Sequence, residues 1–263
     1  MNSSSPIGIF DSGVGGLSIW KEIVSLLPNE DTIYLADSKN APYGEKSKQE
    51  IIELCIKNTE FLLKKSCKII VVACNTATTN AISYLRANYD VPFIGIEPAI
   101  KPAALQTKTG AIGILATKGT LSSKLFHETS KKFTQNITVV EQVGEGLVPL
   151  IESGQIESEE MKKLLHNYLQ PMLTKNIDHL VLGCSHYPFL LTEILKIMGS
   201  NVTIIDSGEA VAKQTKAILS NNQLLNTIEN NTKHQLYINA DTATIKNILK
   251  NFTGNYTITQ ADF

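Results

Sequence analysis

Lys68 to Thr79 read KIIVVACNTATT, and this stretch decides the fold. Ile69 to Val72 is a short apolar run that ends abruptly at Ala73-Cys74-Asn75-Thr76, after which the pattern from Thr78 to about Asn88 is helical. An apolar run without alternation suits a strand buried on both faces, as in a parallel sheet. Ligands of open α/β folds bind beyond the C-terminal ends of such strands. Cys74 stands at one of those ends, with an amide and a hydroxyl beside it.

The pattern returns. His179 to Pro188, HLVLGCSHYP, is again an apolar run closed by a cysteine and polar residues, and Cys184 lies 110 positions after Cys74. Ile112 of GAIGILA lies 105 positions after Ile7 in the first apolar run, and Ile205 of NVTIID lies 109 after Ile96. Three landmarks in one order at nearly equal offsets predict a duplicated α/β domain, and the period is too long for a solenoid.

Strands are expected at Ile7 to Phe10, Thr32 to Ala36 and Pro92 to Ile96, with helices from Leu17 to Leu27 and Gln49 to Lys64. DSGVGG (Asp11 to Gly16) joins the first strand to its helix, a layout that turns backbone N–H groups toward an anion. It is neither GxGxxG nor a P-loop, so it makes a poor nucleotide signature. The loop Asp37 to Ser47 carries Pro42-Tyr43-Gly44 and is long enough to bind a ligand. Beyond Pro98 and Pro102 come helices at Ser122 to Phe133 and Ser158 to Leu173 around a strand near Ile137 to Val140. The tail is Asn-rich, then strand-like at Gln235 to Ile238 and helical to Phe252, and is expected to rejoin the first sheet. The expected fold is α/β, with two pseudo-symmetric doubly wound domains, mainly parallel sheets and the active site in the cleft between them. Residues 1–97 with 211–263 form one domain and 98–210 the other.

Composition narrows the function. At 263 residues the chain allows one or two domains at about 150 residues each. A net charge of −1 with scattered lysines leaves no basic footprint for nucleic acid or an acidic membrane. MNSSSP is not a signal peptide, and no run of about 18 apolar residues exists to span a bilayer. Cys55, Cys67, Cys74 and Cys184 form no CxxC pair, which points to a reducing cytoplasm with free thiols.

If the two domains pack with their C-terminal sheet edges together, Cys74 and Cys184 face each other across the cleft. A disulfide would consume both groups. Zinc is poorly served, since His186 follows Cys184 by two residues and no such cluster lies near Cys74. A single nucleophile with a base explains Cys184 and His186 but leaves the repeat idle. Two thiols on opposite faces of one carbon, one taking a proton and the other giving one, explain the duplication and need no cofactor and no metal. Such thiols need a lowered pKa, and both cysteines are expected to open helices, which favours the thiolate. Asp11 ends the neighbouring strand and can accept a proton or hold an ammonium group, and His186 can serve Cys184.

Each of these residues also has a plainer reading. A lone strand-end cysteine is usually inert core, as Cys55 and Cys67 are expected to be. Asp11 alone reads as a turn or capping residue. Glu152, in PLIESGQ, reads as a solvated loop acid, and His127, His166, His179 and His234 as surface or strand-edge histidines.

In order, FDSGVGGL, APYG, ACNTA, LATKGT and GCSHYP closely resemble the glutamate racemase family, within the aspartate/glutamate racemase superfamily. The resemblance runs from Ile7 to Gly208 and implies cofactor-independent interconversion of L- and D-glutamate, supplying D-glutamate for peptidoglycan. It implies that Cys74 acts on the D-enantiomer with Asp11, and that Cys184 acts on the L-enantiomer with Glu152 and His186. Substrate contacts carry over to Asp11, Ser12, Tyr43, Gly44, Asn75, Thr76, Ser185 and His186, with Thr117 and Thr120 near the ligand. It further suggests a homodimer. The family usually has Thr where Ser185 stands, so the hydroxyl is kept. An aspartate or hydantoin racemase of the same fold, or a non-catalytic amino-acid-binding protein, are the competing readings.

Overall fold

The computed structural model describes residues 2–228 and 231–263, so that Met1 of the leading segment and Glu229 and Asn230 of the Asn-rich tail lie outside the described residues. The first half runs β1 (Ile7–Asp11), α1 (Leu17–Leu26), β2 (Thr32–Ala36), α2 (Lys48–Lys64), β3 (Ile69–Val72), α3 (Asn75–Asn88) and β4 (Phe93–Gly95). The second runs α4 (Ile100–Gln106), β5 (Ala111–Ala116), α5 (Lys118–Leu121), α6 (Lys124–Phe133), β6 (Thr138–Val143), α7 (Leu147–Glu152), α8 (Glu159–Leu173), β7 (His179–Gly183), α9 (Leu191–Met198) and β8 (Thr203–Ile205). The chain then returns through α10 (Gly208–Asn221), β9 (His234–Ile238), α11 (Ala243–Leu249) and β10 (Tyr256–Gln260).

These strands build two sheets, ordered β10-β9-β2-β1-β3-β4 and β6-β5-β7-β8, with every pairing parallel. The second sheet therefore repeats the β2-β1-β3-β4 order of the first. Register sharpens the repeat: Ile7 pairs Ile69 in one sheet, and Ile112 pairs His179 in the other. The last landmark moves by two residues, because Ile94 stands opposite Val71 as Ile205 stands opposite Val181. Ile96 lies beyond its strand.

Alternation along the central strands explains the doubly wound packing. Ile7, Ile9, Ile69 and Val71 point into one core, while Phe10, Ile70 and Val72 point into another beneath α2 and α3. The first of these cores is continuous with Leu165, Leu169, Leu180 and Leu182 of the second half, so the halves share apolar packing on that side. A third core, around Ile112, Ile114 and Phe126, lies under α4 and α6. Among the described residues no helix is long and apolar enough to cross a membrane.

The N-terminal edge of the first sheet is tied by a buried ion pair. Lys68 Nζ lies 2.5 Å from Glu30 Oε2, whose other oxygen accepts the Asn226 N–H at 2.8 Å. The returning tail is thus pinned to the starts of β2 and β3, and removing either charge would leave its partner buried alone at a cost of about 3–5 kcal/mol.

Several local expectations need correction. α3 begins three residues before Thr78, because Cys74 itself caps it. The helix expected from Ser122 is broken by a fresh cap, Ser123 Oγ accepting the Phe126 N–H at 3.2 Å. Glu152 is no loop acid: it ends α7, a six-residue helix held by the buried side chains of Leu147, Val148, Leu150 and Ile151. Cys184 opens no α-helix, since a turn and a short 3₁₀ segment, Tyr187–Leu190, intervene before α9. His179 and His234 are buried at strand starts rather than on the surface, while His127 and His166 are exposed.

Candidate active site

The C-terminal ends of β1, β3, β5 and β7 converge on one small cavity of about 10 Å³, the room of about one water molecule. Ser12 reaches it from β1, Cys74 to Thr76 from β3, Thr117 from β5 and Cys184 to His186 from β7, with Pro42 to Gly44 closing one side. A larger cleft of about 590 Å³ adjoins it, sharing Pro42, Gly44, Thr117 and Val148 as walls. Both thiols therefore face the same enclosed space, and all four cysteines are free.

Cys74 is the N-cap of α3. Its sulfur accepts the Ala77 N–H at 3.4 Å and donates to Ser12 Oγ at 3.5 Å. The Ala77 N–H and the helix N-terminus favour the thiolate, and so does Ser12 when its hydroxyl turns to donate to the sulfur. Burial is the larger effect and, together with the charge of Asp11, pushes the thiol well above its usual range. The expected lowering at a helix N-terminus is thus overridden by burial. Asp11, fully buried at the end of β1, is itself raised by burial, against the opposing charge of His186. Its Oδ2 accepts the Gly13 N–H and its Oδ1 accepts Ser185 Oγ from the other half, both at 3.0 Å.

Cys184 has a different retinue. Its sulfur lies 3.8 Å from His186 Nδ1, and His186 Nε2 lies 2.5 Å from Glu152 Oε1. Burial alone would lower the imidazole. The hydrogen bonds to Cys184 and Glu152, with the charge of Glu152, outweigh it and raise His186 well above its ordinary range. Burial likewise opposes ionisation of Glu152, and hydrogen bonds from His186, Ser38 and Val14 reverse it, leaving the carboxyl below its ordinary value. The pair is an imidazolium and a carboxylate.

The glycines of DSGVGG acquire a purpose here. A Cβ on Gly13 would lie 1.9 Å from Glu152 Oε1, and one on Gly15 would lie 2.2 Å from His186 Nδ1. The turn does present an N–H to an anion, but the anion is the protein's own: Val14 N–H donates to Glu152 Oε1 at 2.7 Å.

The remaining expected residues divide into three. Asn75 is buried with neither Nδ2 nor Oδ1 hydrogen-bonded, an amide left open to a ligand. Thr76 Oγ1 lies 2.8 Å from Thr117 Oγ1 and 3.3 Å from Thr120 Oγ1, a hydroxyl cluster joining the halves beside Gly44. Tyr43 lines the cavity, but its hydroxyl donates to Asp37 and accepts from Asn58 Nδ2 at 3.2 Å, so only its backbone and ring are free for a ligand. Asp37 and Ser38 were not among the expected residues. Asp37 follows β2 directly, as Asp11 closes β1, and that parallel is the signal that could have marked it.

Residues 7–215 match the Asp/Glu/Hydantoin racemase family model, and the chain belongs to that family. Within it, the chain is 47% identical over 221 residues to a glutamate racemase of Herpetosiphon aurantiacus, covering 84% of this chain and 87% of that protein. It superposes on a glutamate racemase isoform of Bacillus anthracis with a TM-score of 0.87 at 31% identity, covering 100% and 99% of the two chains. The Escherichia coli glutamate racemase, solved with L-glutamate and the activator UDP-MurNAc-ala, superposes with a TM-score of 0.85 at 32% identity over 97% of each chain.

Proposed function

We propose that this protein racemises glutamate without a cofactor, by proton transfer between the α-carbon and two thiols on opposite sides of it. The observation that carries the reading is the pair of buried thiols, Cys74 and Cys184, at equivalent strand ends on one enclosed cavity. The family and the glutamate racemases it resembles at 47% and 31% identity supply the substrate.

In the direction from L to D, Cys184 takes the α-proton while Cys74, whose thiol burial keeps protonated, gives one to the opposite face. In reverse, Cys74 is the base. Asp11 lies beside it with its own affinity for protons raised, and serves as the acceptor for the proton that the thiol gives up. His186, held as an imidazolium by Glu152, stabilises the thiolate of Cys184 and shuttles its proton. The orphan amide of Asn75, with Ser12, Thr76 and Thr117, supplies fixed donors for the substrate's carboxylates and for charge developing at Cα.

Closure follows from size. About 10 Å³ is far below the ~300–1,000 Å³ of ordinary ligand clefts, so the halves, 1–97 with 211–263 and 98–210, separate to admit glutamate and close to exclude water. The reaction belongs in the cytoplasm, where the thiols stay reduced and D-glutamate is supplied to peptidoglycan.

The test is the circular dichroism of L-glutamate incubated with the protein and a reductant, with no cofactor added. The signal decays to zero, and in D₂O deuterium enters Cα. Glutamate that binds without exchange would make this a binding protein, and decay with aspartate alone would move it to another member of the family.

A further inference from the structure

Glu152 serves the second thiol, yet half of what holds it comes from the first half of the molecule. Its Oε1 is shared between His186 Nε2 at 2.5 Å and the Val14 N–H at 2.7 Å. Among the described residues its Oε2 has one donor, Ser38 Oγ, at 2.6 Å. Ser38 sits in the loop after β2, 114 positions away in sequence and on the opposite side of the cleft. The neighbouring Asp37 fixes that loop, accepting from Asn40 Nδ2 at 2.7 Å as well as from Tyr43 and Asn239. Thr244 Oγ1 donates to the backbone carbonyl of Glu152 at 2.8 Å and leaves the carboxylate to Ser38 and Val14.

We infer that Ser38 is a positioning residue for the Cys184 half-reaction, one that assembles the His186–Glu152 pair only when the two halves meet. The inference rests on the two-thiol reading above. A charged oxygen held by one short hydrogen bond loses its orientation when that bond is removed, and the partner on its other oxygen loses a fixed anion. The defect is then confined to one thiol: the imidazolium facing Cys184 loosens, while Cys74, Ser12 and Asp11 keep every contact. Domain closure and the chemistry of one enantiomer are thereby coupled through a single hydroxyl, whose methylated homologue, threonine, can make the same bond.

The experiment is Ser38→Ala, with kcat/KM and its primary deuterium isotope effect measured separately on L- and D-[2-²H]glutamate. Because the equilibrium constant of a racemase is unity, kcat/KM falls equally in both directions, by about tenfold for one charge-assisted hydrogen bond. The isotope effects move apart. That on the L-enantiomer rises, since the bond broken by Cys184 becomes more rate-limiting, and that on the D-enantiomer falls. Ser38→Thr restores both. A general loosening of the site would lower the rates without separating the two isotope effects, and that result, or undiminished rates, overturns the inference. If the D-enantiomer's effect rises instead, Ser38 acts on the wrong thiol and the inference fails. Inertness of the parent protein would sink the two-thiol reading itself, whereas an active parent with unmoved isotope effects sinks only the role of Ser38.

Discussion

Cys74 and Cys184 follow equivalent strands in equivalent registers, and almost nothing else about them is equivalent. Cys74 caps a 14-residue helix and has a hydroxyl and a buried carboxylate beside it. Cys184 sits in a turn, faces an imidazolium, and draws that charge from a helix with no counterpart in the first half. By register, the place of Asp11 is taken in the second sheet by Ala116, and the place of Ser12 by Thr117. Duplication thus accounts for the two strand ends. The groups beside each thiol are not repeated: a carboxylate and a hydroxyl stand by Cys74, and an imidazole backed by Glu152 stands by Cys184.

The strongest test of that comparison is to remove each thiol. Cys74→Ala and Cys184→Ala are both expected to cost at least about a thousandfold in racemisation, the scale of a lost general acid or base. Circular dichroism of either enantiomer would read it, and full activity in one variant would mean that a single base suffices.

A glycine substitution breaks one side only. Gly15→Ala places a methyl 2.2 Å from His186 Nδ1, a distance no packed pair tolerates, so the imidazole must leave its place beside Cys184. The expected loss of kcat is about a hundredfold, with the thermal melting curve still cooperative. Gly119→Ala meets Thr76 Cγ2 at 2.8 Å on the other flank of the cavity and touches neither thiol's partner, so it should disturb KM more than kcat.

How much of this could be read from the chain follows the same division. IIVV at Ile69 to Val72 is legible because burial on both faces admits only apolar side chains, and its echo at His179 to Gly183 carried the duplication. Glu152 was opaque. LVPLIE is too short to form a helix on propensity alone, and packing of its apolar side chains decides it. The contacts that matter to it come from Val14 and Ser38, 138 and 114 positions away, and no local pattern announces them. Tyr43 was legible as a cavity residue, but the direction of its hydroxyl depends on Asp37 and Asn58. Tyr256 to Gln260 went unread because its alternation rests on two half-buried apolar residues, Tyr256 and Ile258, at the edge of the sheet. The thiol of Cys74 shows the limit of motif logic: the cap was readable, whereas the burial that outweighs it is a property of the closed cavity.

The smallest expected effect is also the one with the clearest sign. His186 is raised above its ordinary 6.5, so its contribution to stability is complete below that value and disappears as pH rises through the raised one. Glu152 is lowered from 4.5, so its contribution is complete above that value and disappears as pH falls through the lowered one. The pair therefore stabilises fully between about pH 4.5 and 6.5. Glu152→Gln should open a gap of about 2 kcal/mol in unfolding free energy within that window, narrowing on either side. The same variant lowers the pKa of His186, so the alkaline limb of the kcat profile moves toward acid. Asp11→Asn has the same sign in the other half. Removing that charge makes the Cys74 thiol easier to ionise, because the carboxylate, after burial, is what holds it up. Acid-ward shifts from both carboxylate-to-amide changes would establish that each carboxylate holds up the proton affinity of the group beside its own thiol or of the thiol itself, and an alkaline shift from either variant would overturn that assignment.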